Sequence, residues 1–299
     1  MEIHWISIVL VSATIHPLRE LLLNKASNPV ACYLGVAVVW LVLATFQNII
    51  VGNDFRIPGD CWPLIFISAS GLTLYYYGTL AAMKVGQMSI YYPIVRSSPI
   101  AIVIFSWLIL GEKYTSLSVI AILVIFVGAI MLQNSEPSFL GKKKALALAF
   151  MAMAGSASYS ISDAIAVQKV NPSTLLFYCY ILVSLFLFLM LSFNNRIKKN
   201  TVIVLIEQWK LDQYRILSAG VISYCSYYLI LIAFELGGDA AIVSAIRQAS
   251  IPISVLLAGY FLKENETFRR LGWATLIAVG IFLLSITAVS YTHLTLPTN

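Results

Sequence analysis

Several ionisable residues lie inside long apolar stretches of this sequence, where an ionised side chain is costly; Arg19 is one basic residue within a span, and four others correspond between the two halves. These four are Glu20, Arg96, Asp163 and Arg247. A charge at the centre of a bilayer costs about 2.5–3.5 kcal/mol on insertion scales. Arg96 lies about nine residues into its stretch, roughly 14 Å at about 1.5 Å per helical residue, which is too deep for easy contact with headgroups. These charges therefore predict a polar site between helices.

The order of the stretches assigns these residues to two acid–arginine pairs. Glu20 and Arg96 are expected in one half of the membrane, and Asp163 and Arg247 in the other. The arginine fork matches a carboxylate or a phosphate, so an arginine could release its acid and bind a substrate anion while the freed acid binds a proton. The alternative is that each pair is a structural lock between helices.

Three ring-bearing side chains accompany these charges at helical spacing. His16, Tyr92 and Tyr159 each precede one of the charges by four positions, which places each on the same helix face as its charge. The histidine is either a proton relay or a hydrogen-bonded packing residue. The tyrosine runs at 75–77 and 227–228 belong either to the site or to an interfacial belt. The predicted substrate-binding or coupling residues are Arg96, Arg247, Glu20, Asp163, Tyr92, Tyr159 and His16.

Composition places these residues in a membrane protein. Of 299 residues, 60% are hydrophobic and 11% are charged, and the mean hydropathy is +0.88, far from the averages of soluble domains. Stretches of about 20 apolar residues, enough to cross a bilayer core of about 30 Å as a helix, follow one another along the chain. They predict an all-α integral membrane fold with ten transmembrane helices, near residues 4–24, 30–51, 62–83, 87–110, 116–134, 145–168, 171–193, 214–235, 238–262 and 267–288.

The basic residues are distributed as topology signals. The net charge of +6 does not gather on one polar face, so no nucleic-acid partner is expected. Loops after odd-numbered spans hold 13 of the 19 lysines and arginines, and loops after even-numbered spans hold three. The positive-inside rule then predicts a cell-membrane protein whose odd-side loops are cytoplasmic and whose termini are outside.

The two halves of the sequence repeat each other. Ala82–Arg96 resembles Ala233–Arg247 at an offset of 151 residues, and each segment leads to a short acidic break, Leu110–Lys113 or Leu262–Asn265. Five spans per half is an odd number, so the second copy must insert upside down, as in the inverted repeats of secondary transporters. The predicted organisation is a first repeat at 1–134, a basic loop at 135–144, a second repeat at 145–290 and a non-native or disordered tail at 291–299.

These features resemble the drug/metabolite transporter superfamily of the EamA type. The shared features are five plus five spans, a Gly-Glu-Lys or similar break after the fourth span, and a glycine in the fifth. His16–Lys25, Tyr91–Pro99, Tyr159–Asp163 and Ser244–Ser250 resemble a poorly characterised branch of it. The resemblance implies a transporter fold up to about Ser290 and names no substrate. Such carriers usually keep both termini in the cytoplasm, which conflicts with the charge count.

Secondary transport is the function that this arrangement favours. Two intramembrane arginines favour an anionic or zwitterionic metabolite, such as an amino acid or organic acid, moved by alternating access with protons as a candidate coupling ion. No Gly-x-x-x-x-Gly-Lys-Ser/Thr loop indicates ATP use.

Other functions are less well supported by the residues. Flipping of a lipid-linked or amphiphilic molecule is the alternative form of transport. Only three histidines, four scattered cysteines, and the absence of His-Glu-x-x-His and Gly-x-Ser-x-Gly argue against an enzyme, a metal site or a cofactor. A scaffold would not need buried charges in both halves. The expected partners are the lipid bilayer, the small-molecule substrate and protons, and a homodimer is left open.

Overall fold

The computed structural model of this chain is a helical bundle. It describes residues 5–23, 28–85, 95, 98–111, 113–133, 143–193, 200–251, 253 and 272–283. Ten α-helices lie within these ranges, and each overlaps one of the ten predicted spans. They are α1 (Trp5–Leu23), α2 (Pro29–Val51), α3 (Trp62–Val85), α4 (Ser98–Phe105), α5 (Ser116–Gln133), α6 (Lys143–Ala166), α7 (Pro172–Ser192), α8 (Thr201–Glu235), α9 (Ala240–Ile246) and α10 (Gly272–Leu283).

Local sequence signals set several helix ends. The Asn28 side chain accepts a hydrogen bond from the backbone of Ala31 at the start of α2, where Pro29 occupies the first turn. Gly52 ends the same helix in the left-handed region, with φ of 73°. The Asp239 carboxylate caps α9 by accepting two backbone N–H groups. A 3₁₀ turn, Arg247–Ala249, continues α9 and carries one of the intramembrane arginines.

The outer surfaces of the helices are apolar. Four helices, α2, α6, α7 and α8, are each long and apolar enough to cross a membrane by themselves. Large side chains such as Phe46, Ile49 and Ile50 are exposed on the outside of α2. Exposed aliphatic and aromatic groups of this kind are stable in contact with lipid tails rather than water. The predicted all-α integral membrane fold is therefore confirmed.

Helix packing follows the inverted repeat. Among the described residues, the two most extensive pairings are α3 with α6 and α1 with α8, and a shift of five helices converts one pairing into the other. Between α5 and α10 the contacts are reciprocal: a Cβ on Gly128 would meet Ile277 at 2.8 Å, and one on Gly280 would meet Ile125 at 2.6 Å. The glycine–glycine and isoleucine–isoleucine separations are both 152 residues. The ten helices thus form two inverted five-helix repeats that share one core.

The start of α8 differs from the sequence prediction. Residues 194–213 were expected to form a polar loop, whereas α8 begins at Thr201 and continues through a kink at Asp212, where φ is −125° and ψ is 21°. Asp212 accepts hydrogen bonds from the side chains of Gln208 and Arg215, so the polar residues that suggested a loop pair with one another within the helix. The predicted tail at 291–299 and most of the inter-repeat loop lie outside the described residues.

Candidate substrate chamber

A small chamber lies near the middle of the bundle, between the two repeats. Helices α1, α2, α3, α6, α7 and α8 and the turn after α9 all contribute to its walls. Trp40, one of the lining residues, is the central residue of α2. The cavity measures about 20 Å³, which is room for about one water molecule. The chamber in this structure is therefore too small to hold a metabolite.

Six aromatic side chains form a closed circuit around this chamber, which we call the aromatic circuit. Successive ring centroids lie 4.3–6.0 Å apart, and one hydrogen bond of 3.2 Å between two tyrosine hydroxyls completes the circuit. Its members, in order, are Tyr76, Tyr75, Tyr159, Tyr227, Trp40 and Tyr180. They come from five helices of both repeats, so movement of one repeat against the other changes the shape of the circuit.

Arg247 presents a guanidinium group to the chamber. Its Cζ lies 5.5 Å from the centroid of the Tyr227 ring, a cation–π arrangement. Its Nε is buried and donates no hydrogen bond to any described residue. Within the described ranges, no carboxylate oxygen lies within ion-pair distance of Arg247. Among the described residues, the charge of Arg247 therefore has no carboxylate partner.

Asp163 lies behind Tyr227 rather than against Arg247. The carboxyl group is buried on α6, and the Tyr227 hydroxyl donates a hydrogen bond to its Oδ2. The sequence predicted a direct pair between Asp163 and Arg247, whereas the structure places the tyrosine between them. The two charged residues therefore share Tyr227, which gives its hydroxyl to one and its ring face to the other.

The first repeat contributes a second arginine. Arg19 and His16, three residues apart on α1, are both buried and both line the chamber. The Arg19 guanidinium lies 6.0 Å from the centroid of the Tyr33 ring, which stacks on Tyr76 at 4.9 Å. Each repeat thus holds one arginine over a tyrosine ring, and the described lining residues carry two cations and no carboxylate.

The predicted site residues fall into three groups. His16, Tyr159 and Arg247 line the chamber, and Asp163 lies one residue behind its wall. Arg96, Tyr92 and the side chain of Glu20 lie outside the described residues, so their roles stay predictions. The predicted set omits eight lining residues: Arg19, Trp40, Leu72, Tyr75, Tyr76, Tyr180, Ser223 and Tyr227. The sequence leaves the tyrosine runs at 75–77 and 227–228 open between the site and a belt. The interfacial-belt alternative is wrong for Tyr76 and Tyr227, which are buried, whereas Tyr77 is exposed.

Polar contacts join the two repeats at one end of the bundle. Near the end of α2, the buried side-chain oxygen of Asn48 accepts hydrogen bonds from Ser173 (2.7 Å) and Thr174 (2.9 Å) at the start of α7. Lys169, just before α7, forms an ion pair with Asp60, just before α3. We call these five residues the even-end latch, because they lie beside loops that follow even-numbered helices. The loops at the opposite end fall largely outside the described residues.

The ion pair of the even-end latch is exposed and outside the spanning segments. A hydrogen bond from the Lys169 ammonium holds the pKa of the Asp60 carboxyl below its usual range. The same hydrogen bond raises the pKa of Lys169. Both groups are therefore charged at neutral pH, and the pair links the two repeats.

Comparison with known proteins identifies the class to which this bundle and chamber belong. The chain belongs to the EamA-like transporter family, whose family model matches residues 3–133 and 143–286. It is therefore a membrane transporter of small molecules. A solved structure described only as "Crystal structure of protein" is similar in fold, with a TM-score of 0.74, 14% identity, and coverage of 96% of this chain and 97% of that one. No curated protein matches the chain.

Proposed function

We propose that this protein is a secondary carrier for a small anionic or zwitterionic metabolite, such as an amino acid or an organic acid. The observation that supports this proposal is Arg247, a guanidinium in the chamber wall with no carboxylate partner among the described residues. A planar guanidinium can bind a carboxylate or phosphate through two parallel hydrogen bonds. A second arginine in the same chamber, Arg19, adds positive potential at the site.

The proposed transport cycle is alternating access. The chamber lies between two inverted repeats near mid-membrane, which is where carriers of this architecture hold their substrates. The even-end latch joins the repeats on one side, and its release would open the chamber to that side. The contracted cavity fits a closed state through which the carrier passes between its two open states.

The first test of this function is a transport screen. The purified protein is reconstituted in liposomes and offered pools of labelled amino acids, organic acids and organic cations, with and without a pH gradient. We expect uptake of at least one anion or zwitterion. Transport of cations alone would contradict the assignment of Arg247 as an anion ligand.

Substitution of Arg247 separates binding from a structural role. Arg247→Lys keeps the charge but removes the two-pronged hydrogen bonding, and Arg247→Gln removes both. Since a hydrogen bond to a charged group contributes about 1.5–3 kcal/mol, we expect uptake to fall about 10- to 100-fold with folded protein retained. Size-exclusion chromatography and thermal unfolding monitor the folded protein.

Arg56→Gln is the matched control. Arg56 lies in an exposed loop, with a side chain that is 93% accessible and an ion pair of 3.8 Å to Asp54 in the same loop. Its substitution should leave uptake unchanged. If Arg247→Lys instead lowers the yield of folded protein and leaves the uptake per folded molecule intact, the arginine is a structural lock.

A further inference from the structure

The geometry points to Tyr227 as the residue that couples a proton on Asp163 to a substrate anion on Arg247. This inference rests on the proposed function and names the proton as the coupling ion of the same site. It makes Tyr227 a positioning residue, because it acts through its two neighbours.

Asp163 has the surroundings of a proton-binding carboxyl. Its side chain is only 2% accessible, and its Oδ1 accepts no hydrogen bond from any described residue. Ser68 on α3 and Cys179 on α7 lie beside the carboxyl, and the Cys179 thiol donates instead to the Ser68 hydroxyl at 3.6 Å. The hydroxyls of Tyr227 and Ser68 compensate this buried carboxylate only in part, because its Oδ1 accepts no hydrogen bond, and a bound proton removes the charge.

Tyr227 contacts both charged groups and is held in place by other rings. Its hydroxyl donates to Asp163, and its ring lies 5.5 Å from the Arg247 guanidinium. Trp40, at 5.7 Å, and Tyr159, at 6.0 Å, contact the other sides of the ring. A change at the carboxyl that alters the position of the hydroxyl is therefore passed to the ring that covers the guanidinium.

Charge balance couples the binding of the proton to the binding of the anion. With Asp163 ionised and no substrate bound, Asp163 and Arg247 together carry no net charge. A proton that binds the carboxylate forms one O–H bond and leaves the pair with one positive charge, which an anion bound by Arg247 then neutralises. Net charge is costly in this buried site, so proton and anion favour each other's binding. By reciprocity, each raises the affinity for the other by the same factor.

The hydroxyl of Tyr227 makes this coupling efficient. It donates a charge-assisted hydrogen bond to the ionised carboxylate and a weaker one to the neutral acid. His16 and Arg19 face the same chamber from α1, so the pH dependence of transport alone does not identify the responsible group. The test therefore compares proton-driven uptake with exchange in the same variant.

The experiment uses liposomes and a ¹⁴C-labelled mixture of amino acids and di- and tricarboxylic acids. Exchange is measured at equal pH on both sides, and uptake is measured under an inward proton gradient. Tyr227→Phe keeps the ring and removes the hydroxyl, and we expect it to lower gradient-driven uptake about tenfold more than it lowers exchange. Tyr224→Phe is the control, because its hydroxyl lies on the same helix but donates to Gln47. The ratio of gradient-driven uptake to exchange in Tyr224→Phe should equal that of the wild type.

Infrared spectroscopy gives a readout that does not depend on transport. A protonated-carboxyl band that is absent in Asp163→Asn should grow when the same mixture is added to the wild type at constant pH, and it should not grow in Tyr227→Phe. The role of Tyr227 would be overturned if Tyr227→Phe lost exchange and gradient-driven uptake equally. It would also be overturned if the band responded equally in the wild type and in Tyr227→Phe. Failure of the wild type to transport any labelled compound would instead overturn the proposed function.

Discussion

At the residue scale, the two arginines of the chamber have related surroundings although they come from opposite repeats. Arg19 lies over Tyr33 and Arg247 lies over Tyr227, at 6.0 and 5.5 Å from the ring centroids. A cation–π contact contributes about 0.5–2 kcal/mol. Tyr227 of the aromatic circuit and Tyr33, which stacks on Tyr76 of the circuit, thus contact the two charges.

The hydrogen bond between Tyr76 and Tyr180 closes the aromatic circuit, and it gives a prediction about stability. Both hydroxyls are buried and bond to each other at 3.2 Å. Tyr76→Phe or Tyr180→Phe leaves one buried hydroxyl without this partner, so each should lower the free energy of unfolding by about 1 kcal/mol. The double substitution removes both polar groups and should cost less than the sum, measured by thermal unfolding in detergent.

Tyr77→Phe provides the control for this cycle. Tyr77 is adjacent in sequence to Tyr76, but its side chain is 42% exposed on the outside of α3. Its substitution should have little effect and should add to that of Tyr180→Phe without interaction. Additive losses for Tyr76 and Tyr180 would show that the 3.2 Å contact contributes nothing specific.

The sequence predicted part of the chamber for identifiable reasons. Arg247 was found because an ionised residue deep in an apolar stretch is costly, and His16 was found from its helical spacing to a charge. Arg19 was missed because it was counted only as a basic residue within a span. A usable signal existed for Tyr76 and Tyr227: they lie 151 residues apart, the offset that also separates Arg96 from Arg247.

At the element scale, α8 shows what hydropathy alone could not predict. Its 35 residues span about 52 Å at 1.5 Å per residue, well beyond a bilayer core of about 30 Å. Val202, Ile206 and Trp209 are spaced by four and three residues and are exposed along one side of the first turns. This stripe fits an amphipathic segment in the membrane interface, continuous with the spanning part of the helix. The polar residues between these positions lowered the average hydropathy, so hydropathy alone did not predict this segment.

Trp209 tests the position of this segment. Interfacial helices lie about 5–10 Å into the boundary between headgroups and acyl chains. In liposomes of lipids brominated near the headgroup, we expect Trp209 fluorescence to be quenched more strongly than in lipids brominated near the chain end. Trp209→Phe should remove this shallow component, and Trp40→Phe, which removes a buried indole, should not. A quenching profile unchanged by Trp209→Phe would place the segment in water.

At the scale of the whole molecule, the helix pairings that join the repeats come in symmetric sets. The α3–α6 and α1–α8 pairings are equivalent by the inverted repeat, so the same type of pairing occurs twice with opposite membrane orientation. In α3–α6 the backbones approach closely, because a Cβ on Gly71 would lie 2.7 Å from the Gly155 carbonyl and the reciprocal distance is 2.6 Å. Such contacts favour rigid paired helices, which leaves the polar contacts at the ends as the parts that must break during transport.

The ion pair of the even-end latch is expected to control access from that end. Lys169→Glu or Asp60→Lys brings like charges together, whereas the double exchange restores attraction. A cysteine at Leu72 in the chamber wall, with the four native cysteines replaced, reports access through its reaction rate with a membrane-impermeant thiol reagent. We expect each single variant to react several-fold faster than the protein in which Lys169 and Asp60 are unchanged. The double variant should return towards that original rate.

The same pair predicts the direction of the pH effect. Because the folded-state pKa of Asp60 is lowered by Lys169, the attraction is fully present above the usual carboxyl pKa and is lost as the pH falls through the lowered value. We therefore expect the rate of the thiol reaction to rise in acid, after correction for the pH dependence of the reagent itself. This rise should be absent in Lys169→Glu. Arg56→Glu is the charge-reversal control, since Arg56 is exposed and pairs only within its own loop. Of these two cations, only Lys169 joins α7 to α3. If Arg56→Glu opens the chamber as much as Lys169→Glu does, surface charge rather than the even-end latch controls access.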